Sequence, residues 1–226
     1  MTGGVIVMLV SKIIRKFRTM LHKIVRSLRF RKLKKVFRNE TFSVFSSNCV
    51  GGSMLHDLGI AFNSPFVNLY IDAKDFLKYL KDPKKYNQMD FKEIASEQEY
   101  PVGMLGDLTF YFVHYKTFDE AVTAFKRRIP RISYDNLFVI FIERDDCTYE
   151  DLKEYDNLPY KNKIVFTHKP YNDIKSAFYI EGFENNGSLG NIIGWDEKLG
   201  RRIYDKFDFV KWFQVNKATD NTTKIK

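Results

Sequence analysis

The sequence predicts an α/β fold, a three-layer α/β/α sandwich around a mostly parallel or mixed sheet, preceded by a basic amphipathic N-terminal helix. Three observations predict it. Short apolar runs alternate with helical patterns in a βαβα rhythm. The run LFVIFI at 137–142 is apolar throughout, as a strand buried on both faces is. At 226 residues the chain suffices for one sizeable domain with a full core.

The elements follow in order. Residues 42–45 read as a strand, and 53–58 as a helix entered through the glycine pair Gly51 and Gly52. Residues 65–71 form the next strand and 73–80 the next helix, with Asp72 as its N-cap. Pro101 marks 100–105 as a short edge strand, whereas 108–113 is a stronger one. Thr117 and Glu120 make a capping-box pattern for a helix over 121–128, which Pro130 ends. Residues 136–142 are a buried strand, 149–155 a helix, and 163–167 and 176–180 strands. A helix over 207–215 precedes a polar tail. The domain plan is an arm at 1–40, a single α/β domain at 41–216 and a flexible tail at 217–226.

Charge separates the arm from the body. Residues 1–40 hold twelve Lys/Arg against Glu40 alone, a net +11, and the remaining 25 basic and 27 acidic residues leave 41–226 at −2. This asymmetry argues against a globally basic nucleic-acid surface, although such an arm can contact phosphates without sequence selectivity, so no specific nucleic-acid partner is expected. In the arm, Ile13, Phe17, Met20, Leu21, Ile24 and Leu28 fall near helical spacing among Lys and Arg. Two readings stay open: a helix lying on an anionic membrane surface, and a helix packed on the domain with a solvated basic face. The apolar run 5–10 is too short to cross a bilayer, and the charges that follow it do not fit a secretory signal. Cys49 and Cys147 have no metal-ligand spacing, which points to a reduced, cytoplasmic protein, peripheral on the inner membrane face if the arm binds lipid.

The stretch FSVFSSNCVGGSMLH at 42–56 is the richest in chemistry. A strand running into small polar residues and a helix start can present backbone N–H groups to an anion or a developing oxyanion. Gly51 and Gly52 would permit positive φ or close ligand approach. Ligands of α/β sheets bind at strand carboxyl ends near a topological switch point. The residues just after each strand are therefore the candidates: Ser46, Ser47, Asn48 and Cys49; His114 and Tyr115; Glu143, Arg144, Asp145 and Asp146; Thr167 and His168. Cys49, His114 and His168 form the catalytic set, as nucleophile or bases. Ser47, Asn48, Gly51, Gly52, Ser53, Arg128 and Arg131 form the ligand-binding set, with Arg127 beside the last two. Cys49, His114 and His168 are expected in one cleft at the strand carboxyl ends. His56 reads as structural. No metal motif, P-loop, dinucleotide fingerprint or hydrolase elbow is present.

Several segments together resemble a bacterial domain-of-unknown-function family, number 1919, whose members are often labelled exopolysaccharide or capsular biosynthesis proteins. They are SNCVGG at 47–52, LGIAFNSP at 58–65, YPVG at 100–103, FVHY at 112–115 with FDEA at 118–121, RRIPRI at 127–132 with DNLF at 135–138, and LPYKNK at 158–163. The resemblance spans about 41–215 and implies an α/β/α fold and a place in surface-polysaccharide assembly. The Asn48-Cys49 turn is more faintly similar to that of capsule proteins proposed to be coenzyme A-dependent acetyltransferases. The expectation is a transferase moving an acyl or glycosyl group onto an activated or lipid-linked sugar at the cytoplasmic membrane face. The sugar or nucleotide-sugar would be its substrate, and a coenzyme A thioester or nucleotide-sugar its donor. The alternative is a non-catalytic membrane-associated binding or scaffold protein of the same pathway.

Overall fold

The computed structural model describes residues 2–144, 146–196 and 200–220. Asp145 and the last six residues of the expected tail lie outside them. The basic arm is one long helix, α1 (Thr2–Val36). Then come β1 (Ser43–Ser46), α2 (Val50–Leu58), β2 (Tyr70–Ile71), α3 (Ala73–Lys81), the single turn α4 (Pro83–Tyr86), β3 (Phe91–Glu93), β4 (Val102–Leu105) and β5 (Leu108–Tyr111). The second half adds α5 (Phe118–Arg128), β6 (Leu137–Ile142), α6 (Tyr149–Asn157), β7 (Asn162–Thr167), β8 (Ala177–Tyr179), the small hairpin β9 (Trp195–Asp196) and β10 (Arg201–Arg202), and α7 (Phe209–Asp220).

Four parallel strands in the order β1-β6-β7-β8 form the central sheet. Side chains alternate between its two faces. Phe45, Val139, Phe141 and Val165 enter one core with Phe76 and Leu80 of α3 and Leu152 and Tyr155 of α6. Val44, Phe138, Ile140, Ile164 and Phe166 enter the other with Phe30 of α1, Phe37 just past its end, Met54 and Leu55 of α2, and Phe209 and Phe213 of α7. Helices thus flank a parallel sheet on both faces, the predicted α/β class.

The sheet is smaller than expected, because β2, β5, β4 and β3 build a second sheet that is wholly antiparallel. The strand expected at 108–113 therefore joins this sheet and not the parallel set. Likewise 100–105 is not an edge: β4 lies between β5 and β3, and Pro101 sits just before the ladder where its missing N–H costs nothing. The strand expected at 65–71 shrinks to two residues, since Asn68 takes a left-handed φ of 62° and breaks the extended run. Residues 217–220, expected as frayed tail, continue α7.

Strand order in the parallel sheet follows chain order, so the expected topological switch point is absent from it. The open edge of β1 instead meets the antiparallel sheet, where Ile71 N–H donates to Ser47 C=O at 3.0 Å. That junction creates the cleft described below.

Among the described residues, no helix is long and apolar enough to cross a membrane. The second half of α1 packs on the body through Phe30 and, just past its end, Phe37, which are 3% and 1% exposed. Arg26 clamps it further, bonding Asp57 of α2, Asp205 and the Tyr204 hydroxyl. The packed reading of the arm thus holds for this half.

Candidate functional site

Strand β1 ends in serines that satisfy buried backbone groups: Ser46 Oγ accepts Gly51 N–H at 3.2 Å and Ser47 Oγ accepts Ile142 N–H at 3.2 Å. Asn48 Oδ1 accepts Val50 N–H at 3.0 Å. Two of the first three N–H groups of α2 are thereby occupied by the chain itself, which leaves less of the helix end for an anion than the sequence suggests. The two glycines also differ from expectation. Both lie inside α2, and neither adopts positive φ.

Gly51 is instead a packing residue. A Cβ there would stand 2.7 Å from Ser46 Cβ and 3.0 Å from Val44 Cγ1, so the missing side chain is what lets α2 lie close on β1. At Gly52 an added Cβ meets nothing within 4 Å. Gly51→Ala is therefore expected to cost about 1–3 kcal/mol by overpacking. Gly52→Ala is expected to be neutral or to gain up to about 1 kcal/mol of helix propensity. Urea unfolding of the two variants checks the contrast, and equal effects would contradict it.

A cavity of about 560 Å³, a small-molecule size, lies where β1 and β6 end against β2 and the start of α3. Ser47, Asn48, Cys49 and His114 line it, as expected. So do five residues the candidate set omitted or left without a ligand role: Tyr70, Asp72, Tyr100, Arg144 and Asn191. Tyr70 and Asp72 follow the same signal as the others, a position at a strand's end, but Asp72 reads from sequence as a helix cap alone. It does occupy the N-cap of α3, yet its side chain caps nothing and accepts the Tyr111 hydroxyl at 3.1 Å. Burial and then the Asp72 charge push the Tyr111 hydroxyl up to about 12. Tyr70 stacks flat on Tyr111 at 4.2 Å between centroids, giving a rigid aromatic wall.

A second cavity of about 350 Å³ adjoins the first through shared Cys49, His114 and Ile193, and Gly52, Ser53 and His56 line it. Cys49 and His114 thus stand at the junction of both spaces. Burial raises the Cys49 thiol, only partly offset by its contact to Leu69 C=O at 3.7 Å, so the group is a thiol and not a ready thiolate. This weakens the nucleophile reading. His114 is exposed at the cleft wall.

His168 is not brought to either cavity. It is buried, its backbone N–H and Nδ1 bonding Glu143 Oε2 at 2.8 and 2.7 Å, and Tyr171 donates to Glu143 Oε1 at 2.5 Å. The β6–β7 register, with Ile142 opposite Phe166, places Glu143 beside His168. The Glu143 carboxylate is thus a buried acceptor, not part of a solvated turn. Arg128 Nη1 donates to the Tyr115 hydroxyl at 2.9 Å, and Arg131 is exposed on the short turn after α5; neither lines these cavities. Among the described residues no group of three or more His, Cys, Asp or Glu could hold a metal ion.

The fold and cleft define an α/β protein with a tyrosine-walled polar cavity at the carboxyl edge of a parallel sheet. The chain belongs to the family described as Domain of unknown function (DUF1919), whose sequence model matches residues 19–214. It is also 45% identical over 183 residues to a protein of Haemophilus influenzae named "Uncharacterized protein", covering 81% of this chain and 89% of that one.

Proposed function

We propose that the chain is a transferase of bacterial exopolysaccharide or capsule assembly, moving an acyl or glycosyl group from an activated donor onto a sugar hydroxyl in the tyrosine-walled cleft. One observation carries the chemistry: His114, Asp72 and Asn48 converge with the rings of Tyr70 and Tyr100 on one cavity. Tyrosine faces and carboxylates are the groups that hold a sugar ring, by stacking and by accepting its hydroxyls. The polysaccharide setting is supported by the family resemblance, and the cleft does not bear on it.

In this reading Asp72 orients the acceptor sugar and His114 takes the proton of its reacting hydroxyl. The freed oxygen attacks the donor carbonyl or anomeric carbon, and the thiolate or diphosphate departs. Asn48, whose carbonyl oxygen is occupied by Val50 N–H, offers its NH₂ to the developing negative charge. Arg144 at the cleft supplies positive charge for a diphosphate. Cys49 lines the cleft as a neutral thiol.

Calorimetry with acetyl-coenzyme A and a panel of nucleotide-sugars tests the reading. One class should bind, and Tyr70→Ala should weaken it by about two- to tenfold, the worth of a stacked aromatic contact. Binding unchanged in Tyr70→Ala would contradict it. The non-catalytic scaffold reading is favoured by different observations, that His114 is exposed and that burial holds Cys49 beside it as a thiol. It requires that His114→Ala leave polymer production intact.

A further inference from the structure

The two sides of α1 are used differently. One side docks through Arg26, Phe30 and Phe37. On the other, nine large apolar side chains between Val10 and Leu28, among them Ile13, Phe17, Ile24 and Leu28, are each 44–65% exposed. At 100° per residue they fill an arc of about 140° centred opposite the docked side. Lys16 and Lys23 flank one border of this arc, and Arg18 and Arg29 the other. An exposed apolar face of that extent on a soluble body needs a partner.

We propose that this outward face seats the protein on an anionic lipid surface, its apolar arc in the interface and its flanking Lys and Arg at the headgroups. Charge selects this partner. With twelve Lys/Arg and one acidic residue in 1–40, a second copy would bring +11 against +11, whereas anionic headgroups complement it. The arc is also wider than the two-position seam of a paired coiled coil. Because Arg26 and the two phenylalanines fix the opposite side to α2 and α7, the helix is a rigid platform that sets the orientation of the body, not a loose tether. The proposal stands on α1 alone and is independent of the transferase reading. Vesicle binding by a protein that binds no sugar donor would leave it intact, and donor binding without vesicle binding would overturn it alone.

The test is flotation of the full chain with phosphatidylcholine vesicles, pure or containing about a third phosphatidylglycerol. Partition onto the anionic vesicles should exceed that onto neutral ones by about tenfold or more, and fall sharply at about 0.5 M salt. The double variant Phe17→Asp, Ile24→Asp should lose binding while keeping the wild-type unfolding midpoint, since both residues lie on the undocked side. Equal partition of wild type and variant would overturn the proposal. So would a wild-type dimer, seen by sedimentation, that ignores vesicles and becomes monomeric in the variant.

Discussion

Arg26→Leu is expected to lower the free energy of unfolding by about 3–5 kcal/mol, the range for removing one partner of a buried ion pair. The Arg26 side chain is 10% exposed and its two carboxylates, Asp57 and Asp205, are 18% and 4% exposed. The guanidinium also lies 4.5 Å from the Phe30 ring centroid. Without it, two carboxylates and the Tyr204 hydroxyl would share a half-dry pocket without the guanidinium fork that replaces their lost hydration. Arg26→Lys should fall between, keeping the charge but not the planar fork that reaches both acids. Chemical denaturation checks the series. A loss below about 1 kcal/mol for Arg26→Leu would mean that the pair behaves as an exposed one and that α1 is held by its phenylalanines alone.

His114→Ala is expected to lower transfer by about 10²–10⁴-fold, the usual contribution of a general base, with donor affinity changed little. His168→Ala should do the reverse. Removing that ring leaves Glu143 Oε2 with the backbone N–H of residue 168 alone in a buried site, so its effect falls on the unfolding midpoint first and on turnover only as far as the sheet edge loosens. Measuring turnover and denaturation for both variants separates the roles. A His114→Ala protein with wild-type turnover would remove His114 from the chemistry.

What the sequence made legible was mostly what local physics decides. The run 137–142 is buried at every position of β6, and Thr117 does accept Glu120 N–H at the start of α5. Residues after the parallel strands did include part of the cleft, because β1 and β6 end there. Sheet membership was not legible: strands of two to four residues such as β2 and β5 carry no local mark of which ladder they join. The glycine pair misled for a related reason. Gly51 is needed for space against Ser46, a tertiary demand that looks in sequence like a demand for backbone freedom. The Glu143–His168 pair depends on strand register, and the role of Asp72 on Tyr111 arriving from another strand; neither register nor arrival is written in the local pattern.

The most direct test of the central claim, that the tyrosine-walled cleft is where an activated donor binds, is the alkylation rate of Cys49 in a Cys147→Ala background. Cys49 lines both cavities, and its raised thiol should react slowly near neutral pH and faster as pH rises. A saturating coenzyme A thioester or nucleotide-sugar that binds by calorimetry should slow this reaction by about tenfold or more, as occlusion of a half-buried thiol implies. Undiminished alkylation of Cys49 at saturation with the bound donor would place the donor elsewhere and contradict the account.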